Sequence, residues 1–137
     1  MKHILLIGGA GYIGAVITKY LIDKNMKVRV LDNLLYDNKN VINKFLHLDD
    51  FSFVRGDLCN QSDIVSSLDG ITDVIILGGL VGDPITKKYP DLNDKINHSG
   101  IKNCINTLNN KNLNKVIFVS TCSNYGLIKD DQIADED

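Results

Sequence analysis

Residues 4–14 read Ile-Leu-Leu-Ile-Gly-Gly-Ala-Gly-Tyr-Ile-Gly, and this stretch decides the fold. Its first four residues form a continuous apolar run, which is typical of a strand buried on both faces of a parallel sheet. From Ile13 to Leu21 the apolar residues recur at helical spacing, which predicts an amphipathic helix over about residues 11–24. The glycines therefore lie in the turn that joins the first strand to the first helix.

The same alternation of strand and helix continues along the chain. Further apolar runs predict four more strands, at Val28–Leu31, Phe51–Val54, Val74–Leu77 and Val116–Val119. Helical patterns lie between them, at about residues 38–48 and 61–68 and from Pro90 to about Asn110. Such alternation implies an α/β fold with right-handed crossovers. We expect a Rossmann-type doubly wound parallel sheet of about five strands, in the order 3-2-1-4-5.

Length and composition exclude several classes of protein. The 137 residues, 44% apolar and 23% charged, are enough for one globular domain, residues 1–137. A net charge of −2 with no basic patch excludes nucleic acid as a partner. The longest apolar stretch, Val74–Val81, is far shorter than the roughly 20 residues of a membrane span. The three cysteines lack paired spacing, so we expect a reducing cytoplasm and no metal site.

The glycine loop carries the strongest functional signal. Gly9, Gly11 and Gly14 fit the pattern G-x-G-x-x-G, and Gly8 extends it to G-x-x-G-x-x-G. In such a loop one glycine permits a tight turn, one lets the backbone approach a pyrophosphate, and one lets the helix pack close to the sheet. The N-terminus of the helix then offers N–H groups and the positive end of its dipole to the phosphates. The pattern predicts a dinucleotide site; the alternative is a glycine-rich turn without a ligand.

An acidic residue follows at the expected distance. Asp32 comes at the end of the second predicted strand, eighteen residues after Gly14, close to the roughly 20 residues typical of the carboxylate that accepts ribose hydroxyls. A carboxylate repels a 2′-phosphate, and residues 33–40 contain no arginine to receive one. NAD is therefore favoured over NADP. The alternative for Asp32 is an ordinary turn residue at a strand end.

With these motifs the sequence resembles the extended short-chain dehydrogenase/reductase family, in particular its NAD-dependent sugar-nucleotide epimerases and dehydratases. The match extends beyond Gly8–Gly14 to further segments: Asp32-Asn33, Gly56-Asp57-Leu58, Leu77-Gly78-Gly79, Asn97 and Ser120–Gly126. All except Asn97 follow a predicted strand, where open parallel sheets bind ligands. The resemblance implies cofactor contacts for Gly8, Gly11, Tyr12, Ile13, Gly14, Asp32, Asn33, Asp57, Leu58, Leu77, Gly78, Gly79, Val81, Asn97 and Val119.

The resemblance also implies a mechanism. In the family, a tyrosine activated by a lysine four residues later exchanges a proton with a sugar hydroxyl, hydride passes between sugar and nicotinamide, and a Ser or Thr hydroxyl bonds the same oxygen. Thr121 occupies that Ser/Thr position; the alternative is a hydroxyl that caps a loop. Cys122 and Ser123 replace the Asp-Glu pair of the 4,6-dehydratases, which favours an epimerase or a reductase over a dehydratase. We expect Cys122 to pack rather than to act as a nucleophile.

One part of the family pattern is missing. No tyrosine with a lysine four residues later lies at the family's distance beyond Thr121. We therefore expect the chain to be the NAD-binding part of a longer enzyme that acts on a nucleotide sugar, inactive or nearly so by itself and without the C-terminal substrate-binding part. The fifth strand would then leave an open sheet edge, and the helix face bearing Ile96, Ile101 and Ile105 would be exposed or buried against another chain. Both features predict a homo-oligomer.

Two other functions remain compatible with the sequence. The first is a non-catalytic NAD(H)-binding module with a regulatory or redox-sensing role. The second is a site for a different nucleotide ligand, such as a methyl-donor cofactor, which Asp32 and Asp57 do not exclude but for which the Ser/Thr-rich loop has no purpose.

Overall fold

The computed structural model describes residues 2–121, and these form one five-stranded parallel sheet with helices on both faces. The strands are β1 (His3–Ile7), β2 (Lys27–Asp32), β3 (Phe51–Arg55), β4 (Asp73–Ile76) and β5 (Lys115–Phe118). The helices are α1 (Tyr12–Asp23), α2 (Lys39–Asn43), α3 (Gln61–Ser66), α4 (Asp83–Lys88), α5 (Pro90–Asn93) and α6 (Ile101–Asn109), with a π-helical segment, Asp94–Gly100, joining α5 to α6.

The strand order is β3-β2-β1-β4-β5, which confirms the predicted topology. In the register, Ile4 of β1 lies opposite Val28 of β2 on one side and Asp73 of β4 on the other. The order changes direction at β1, because the chain moves outward to β3 and then returns to place β4 on the other side of β1. In open α/β sheets this switch point is where ligands bind, outside the carboxyl ends of the strands.

Alternate residues of β1 belong to two separate cores, one on each face of the sheet. Leu5 and Ile7 pack in a cluster with residues of α3 and α6. Ile4 and Leu6 pack in the other cluster, which includes residues of α1 and α2. All four side chains are buried, and each such burial stabilises the fold by about 1.5–3 kcal/mol. The unbroken apolar run in the sequence reflects this two-sided burial.

Two predicted helices differ from the structure. The helix expected over 38–48 is only the five-residue α2, since Asn favours turns over helix interiors and three Asn lie between positions 38 and 43. The expected long helix from Pro90 is continuous but has the π-helical segment at its centre. The helix α4, which the sequence did not predict, begins after Gly82 and carries a proline in its first turn.

The expected apolar helix face does not lie open. Ile96 and Ile101 are each only 8% exposed, and Ile101 belongs to the core cluster on the sheet, with Ile105 packed against it. The expectation that this face is exposed or covered by another chain was therefore wrong, because Ile101 and Ile105 pack in the core on the sheet and Ile96 is buried beside the cleft described below. In the described part of the chain, no helix is long and apolar enough to cross a membrane.

Candidate functional site

A cleft of about 390 Å³ lies at the carboxyl edge of the sheet, where the loops after the strands meet. Every predicted cofactor residue except Asn97 lines it. The cleft is therefore lined by Gly8, Gly11, Tyr12, Ile13, Gly14, Asp32, Asn33, Asp57, Leu58, Leu77, Gly78, Gly79, Val81 and Val119, together with Ile7, Leu31, Leu35, Tyr36, Asn38, Gly56 and Ile96.

The first glycine of the loop touches the loop after β4. Gly8 has φ +79°, a left-handed conformation that glycine adopts without strain. A Cβ at Gly8 would overlap the backbone N and Cα of Gly78. The N–H of Gly8 donates to the carbonyl of Leu31 at 2.8 Å, which ties the loop to the end of β2. The loops after β1 and β4 thus meet backbone to backbone on one side of the cleft.

The other two glycines shape the start of α1. A Cβ at Gly14 would overlap the carbonyl group of Gly9, so α1 begins in direct contact with the loop. At Gly11, the N-cap residue, an added Cβ would meet, among the described residues beyond its chain neighbours and the backbone of α1, only the carbonyl oxygen of Gly8, at 3.7 Å. The space beside Gly11 is therefore free for a ligand.

The helix end at this point suits an anion. No acidic residue lies in the first turn of α1 and no side chain caps it, so the positive end of the helix dipole is not neutralised there. No lysine or arginine is among the cleft-lining residues within the described range, 2–121. A diphosphate would be held by backbone N–H groups and the helix dipole, which is the arrangement that the glycine pattern predicts.

Asp32 faces the glycine loop. Its Oδ2 accepts the N–H of Ala10 at 3.0 Å, and its Oδ1 accepts the N–H of Leu34 at 2.8 Å. These two bonds fix the carboxylate at the rim of the cleft. An ionised carboxylate has about four acceptor positions, so two remain for the hydroxyl groups of a ribose.

The loop after β2 contains two residues in the left-handed conformation, and it contributes more residues to the cleft than the predicted Asn33. Leu34 has φ +59° and Asp37 has φ +53°, and the Asn33 side chain accepts the N–H of Leu35 at 3.0 Å. Together these features bring three further residues to the cleft, namely Leu35, Tyr36 and Asn38. The sequence does not predict this conformation, since a leucine rarely adopts a positive φ.

Two carboxylates fix the segment after β3 by accepting hydrogen bonds from its backbone N–H groups. The Oδ1 of Asp57 accepts the N–H of Cys59 at 2.9 Å, while the N–H of Asp57 donates to Asp63 at 2.9 Å. The side chain of Leu58 lies against Gly78, where a Cβ would come within 2.6 Å of a Leu58 methyl group. Leu58 therefore forms an apolar wall between the loops after β3 and β4.

The thiol of Cys59, the residue after Leu58, is a weak nucleophile. Burial, the Asp57 charge and a hydrogen bond to Asp57 together raise the pKa of Cys59 to about 11. At pH 8 only about one thiol in a thousand is then ionised, and the thiolate is the reactive form. We expect Cys59 in the folded chain to react with iodoacetamide at pH 8 at least tenfold more slowly than in the urea-unfolded chain, measured by peptide mass spectrometry. Equal rates in the two states would contradict the pKa assigned to Cys59.

Two predicted site residues do not line the cleft. Asn97 uses its carboxamide to bond both peptide groups of Leu80. Thr121 is exposed and lies three residues beyond the end of β5. The rest of the predicted Ser/Thr-rich loop, from Cys122 to Gly126, is outside the described residues.

The fold and the cleft define a dinucleotide-binding α/β domain. The model of the NAD-dependent epimerase/dehydratase family matches residues 4–137, and the chain belongs to this family. This confirms the family resemblance drawn from the sequence. It also confirms NAD as the cofactor, since the family is NAD-dependent.

Two curated relatives cover most of this chain. An uncharacterized protein of Methanocaldococcus jannaschii is 32% identical over 136 residues, which are 91% of this chain and 41% of that protein. The bovine sterol-4-alpha-carboxylate 3-dehydrogenase (decarboxylating) is 28% identical over 123 residues, 89% of this chain and 31% of the enzyme. The chain thus spans less than half the length of the curated relatives it matches.

Among solved structures, the chain is similar to the UDP-glucose 4-epimerase of Thermus thermophilus, which was determined in complex with NAD. The TM-score is 0.78 at 25% identity, over 98% of this chain and 42% of that one.

Proposed function

We propose that this chain is the NAD-binding part of an enzyme that transfers hydride at a carbon of a nucleotide-linked sugar, as an epimerase. The observation that carries the proposal is the Asp32 carboxylate, which a hydrogen bond from the glycine loop fixes at the rim of the cleft. The described residues of the cleft lining include no cationic side chain. The similarity to the UDP-glucose 4-epimerase supports the nucleotide sugar as the substrate class.

The proposal gives each wall of the cleft one part of the cofactor. The glycine loop and the start of α1 hold the diphosphate, while Asp32 holds the adenosine ribose. Leu58 and Asp57 lie against adenine, and the loop Leu77–Val81 lies along the nicotinamide ribose. The bound NAD supplies the hydride acceptor and donor. Thr121 would bond the reacting sugar oxygen.

The described cleft lacks the tyrosine–lysine pair on which the family's acid–base chemistry depends. Its described lining contains no His, Lys, Ser or Thr, and its carboxylates accept hydrogen bonds from backbone N–H groups. Two tyrosines, Tyr12 and Tyr36, line it, but neither has a lysine four residues later. General acid–base catalysis contributes about 10²–10⁴-fold to a rate. We therefore propose that the 137 residues supply cofactor binding and, by themselves, little or no turnover.

Calorimetric titration of the 137-residue chain tests the proposal. We expect one NAD per chain and at least tenfold weaker binding of NADP, equivalent to about 1.4 kcal/mol. In a parallel assay, conversion of UDP-glucose to UDP-galactose should stay at the level of a buffer control. Absence of NAD binding would refute the assigned cofactor site, and rapid turnover would refute the assigned lack of acid–base catalysis.

The second candidate is the non-catalytic NAD(H)-binding module, which the lack of a tyrosine–lysine pair in the described cleft lining also favours. Reading the gene beyond the codon for Asp137 separates the two. A downstream Tyr-x-x-x-Lys sequence would support the enzyme and contradict the module, and a stop codon would do the reverse.

We also propose that the chain self-associates. All four residues of β5 are exposed, and Val116, Ile117 and Phe118 are each 43–44% exposed, although the strand is apolar. An open apolar strand is a template for pairing with another chain. In sedimentation velocity at tens of micromolar we expect species larger than 15.2 kDa, whereas a single monomer boundary would contradict self-association.

A further inference from the structure

Asn97 is the predicted cofactor residue that the structure places elsewhere. Its Oδ1 accepts the N–H of Leu80 at 2.8 Å, and its Nδ2 donates to the carbonyl of Leu80 at 2.7 Å. The second Nδ2 hydrogen is available to the Oδ1 of Asn93, at 2.7 Å. One carboxamide thus satisfies both peptide groups of a single residue, which we call the Asn97–Leu80 pair.

Leu80 belongs to a loop that has neither strand nor helix structure. Its side chain is buried, with 3% exposed, and buried peptide groups need hydrogen-bond partners. The residues on either side, Gly79 and Val81, both line the cleft. Fixing the two peptide planes at Leu80 therefore fixes the backbone of both lining neighbours.

The π-helical segment presents Asn97 to this loop. Ile96, next to it, lines the cleft, and Gly100, at the end of the segment, packs so closely that a Cβ there would lie 2.6 Å from the thiol of Cys59. The segment is therefore wedged between the loops after β3 and β4. π turns inside helices are rare overall, and many of those that occur are at functional sites. Gly79 leaves the room that the pair needs, since a Cβ at that position would lie 3.2 Å from Asn97 Oδ1.

We infer that Asn97 is a positioning residue, which aims the loop Leu77–Val81 at the nicotinamide half of the cofactor through its pair with Leu80 and without touching the cofactor. The inference rests on the proposed function. It replaces the direct contact that the sequence resemblance implied. The adenine and diphosphate half of the site makes no bond to this pair, because Asp32 is held by Ala10 and Leu34. Gly78, where the loop meets that half, is held by the carbonyl of Ile7.

The test compares NAD with ADP, which lacks the nicotinamide half. For Asn97→Ala we expect about tenfold weaker NAD binding in calorimetry and less than a twofold change for ADP. Asn93→Ala is the matched control, because it removes only the outer bond to Asn97; both affinities should stay within twofold of the unaltered chain. Equal losses for NAD and ADP, or an unchanged NAD affinity, would overturn the inference.

Amide hydrogen exchange separates positioning from direct contact. In the chain without cofactor, the N–H of Leu80 should exchange at least tenfold faster in Asn97→Ala than in Asn93→Ala. A residue that acted only by touching NAD would leave this rate unchanged, and that result would overturn the inference. An unaltered chain that fails to bind NAD but shows the faster exchange in the variant would refute the proposed function and leave the Asn97–Leu80 pair standing.

Discussion

Alanine at Gly14 is expected to lower the free energy of unfolding and to abolish measurable NAD binding at the same time. The added Cβ would overlap the carbonyl oxygen and carbon of Gly9 and lie 2.7 Å from its Cα. These are backbone atoms, so no flexible side chain can move aside, and α1 must shift away from the loop. Overpacking of this kind costs about 1–3 kcal/mol, which corresponds to a fall in Tm of roughly 3–10 °C for a chain of this length. Thermal unfolding by circular dichroism measures it.

Gly11→Ala is the matched control, three residues earlier in the same loop. Gly11 has φ −74°, which alanine adopts freely, and the nearest heavy atom to its added Cβ is 3.7 Å away. We expect the free energy of unfolding to change by less than about 0.5 kcal/mol. The methyl group would occupy cleft space, so NAD binding should weaken at least tenfold. A Gly14→Ala chain as stable as the unaltered one, or a Gly11→Ala chain with full affinity, would contradict these roles.

The second large effect is expected for Asp32→Asn. An amide has one acceptor oxygen and one donor NH₂ group, so it cannot accept from both Ala10 and Leu34 as the carboxylate does. Bonds to a charged acceptor are also stronger than bonds to a neutral one. We expect NAD binding to weaken by about 10–100-fold, or roughly 1.4–2.8 kcal/mol. The preference for NAD over NADP should shrink, since the repulsion of a 2′-phosphate disappears.

Asp37→Asn tests whether the charge alone matters. Asp37 carries the same charge five residues further on, pairs at the surface with Lys39 at 3.2 Å, and is not among the residues lining the cleft. Its left-handed φ of +53° also suits asparagine. Affinities for NAD and NADP should remain within twofold in this variant. If Asp32→Asn behaved in the same way, Asp32 would have no place in the site.

The strands could be predicted from local apolar runs, and their order follows from the Rossmann-type alternation of strand and helix. Each strand is a short apolar run, and the glycine loop after β1 marks the first crossover. The structure confirms the order. The helix α2 was harder: Ile42 and Phe45 are buried as expected, but Leu46 is 58% exposed, and the chain turns before a second helical turn forms.

The π-helical segment could not be predicted from the spacing of apolar residues. Ile96 and Ile101 are five residues apart and both are buried, but Ile96 lines the cleft whereas Ile101 packs in the core on the sheet. An α-helix with two buried sides gives the same spacing, so the spacing does not indicate a π turn.

The strand-end residues of the site were predictable, whereas the orientation of loops was not. Asp32 and Asp57 follow strands, so the topology of the sheet alone places them at the same edge. The left-handed Leu34 brings Tyr36 to the cleft, and this depends on a backbone conformation that leucine itself disfavours. The role of Asn97 depends on which atoms its amide meets, and one sequence does not contain that information.

The contact between Gly8 and Gly78 makes the cleft depend on two strands that are far apart in the sequence. Gly8 follows β1 and Gly78 follows β4. The N-terminal β1–α1–β2 unit therefore contains the glycine loop but not the loop after β4 that completes the cleft. The cleft is complete only when β4 is paired with β1, where the N–H groups of Leu77 and Gly78 donate to the carbonyl of Ile7. The whole cleft therefore exists only after most of the sheet has formed, and we expect an isolated β1–α1–β2 unit to bind NAD more weakly than the 137-residue chain.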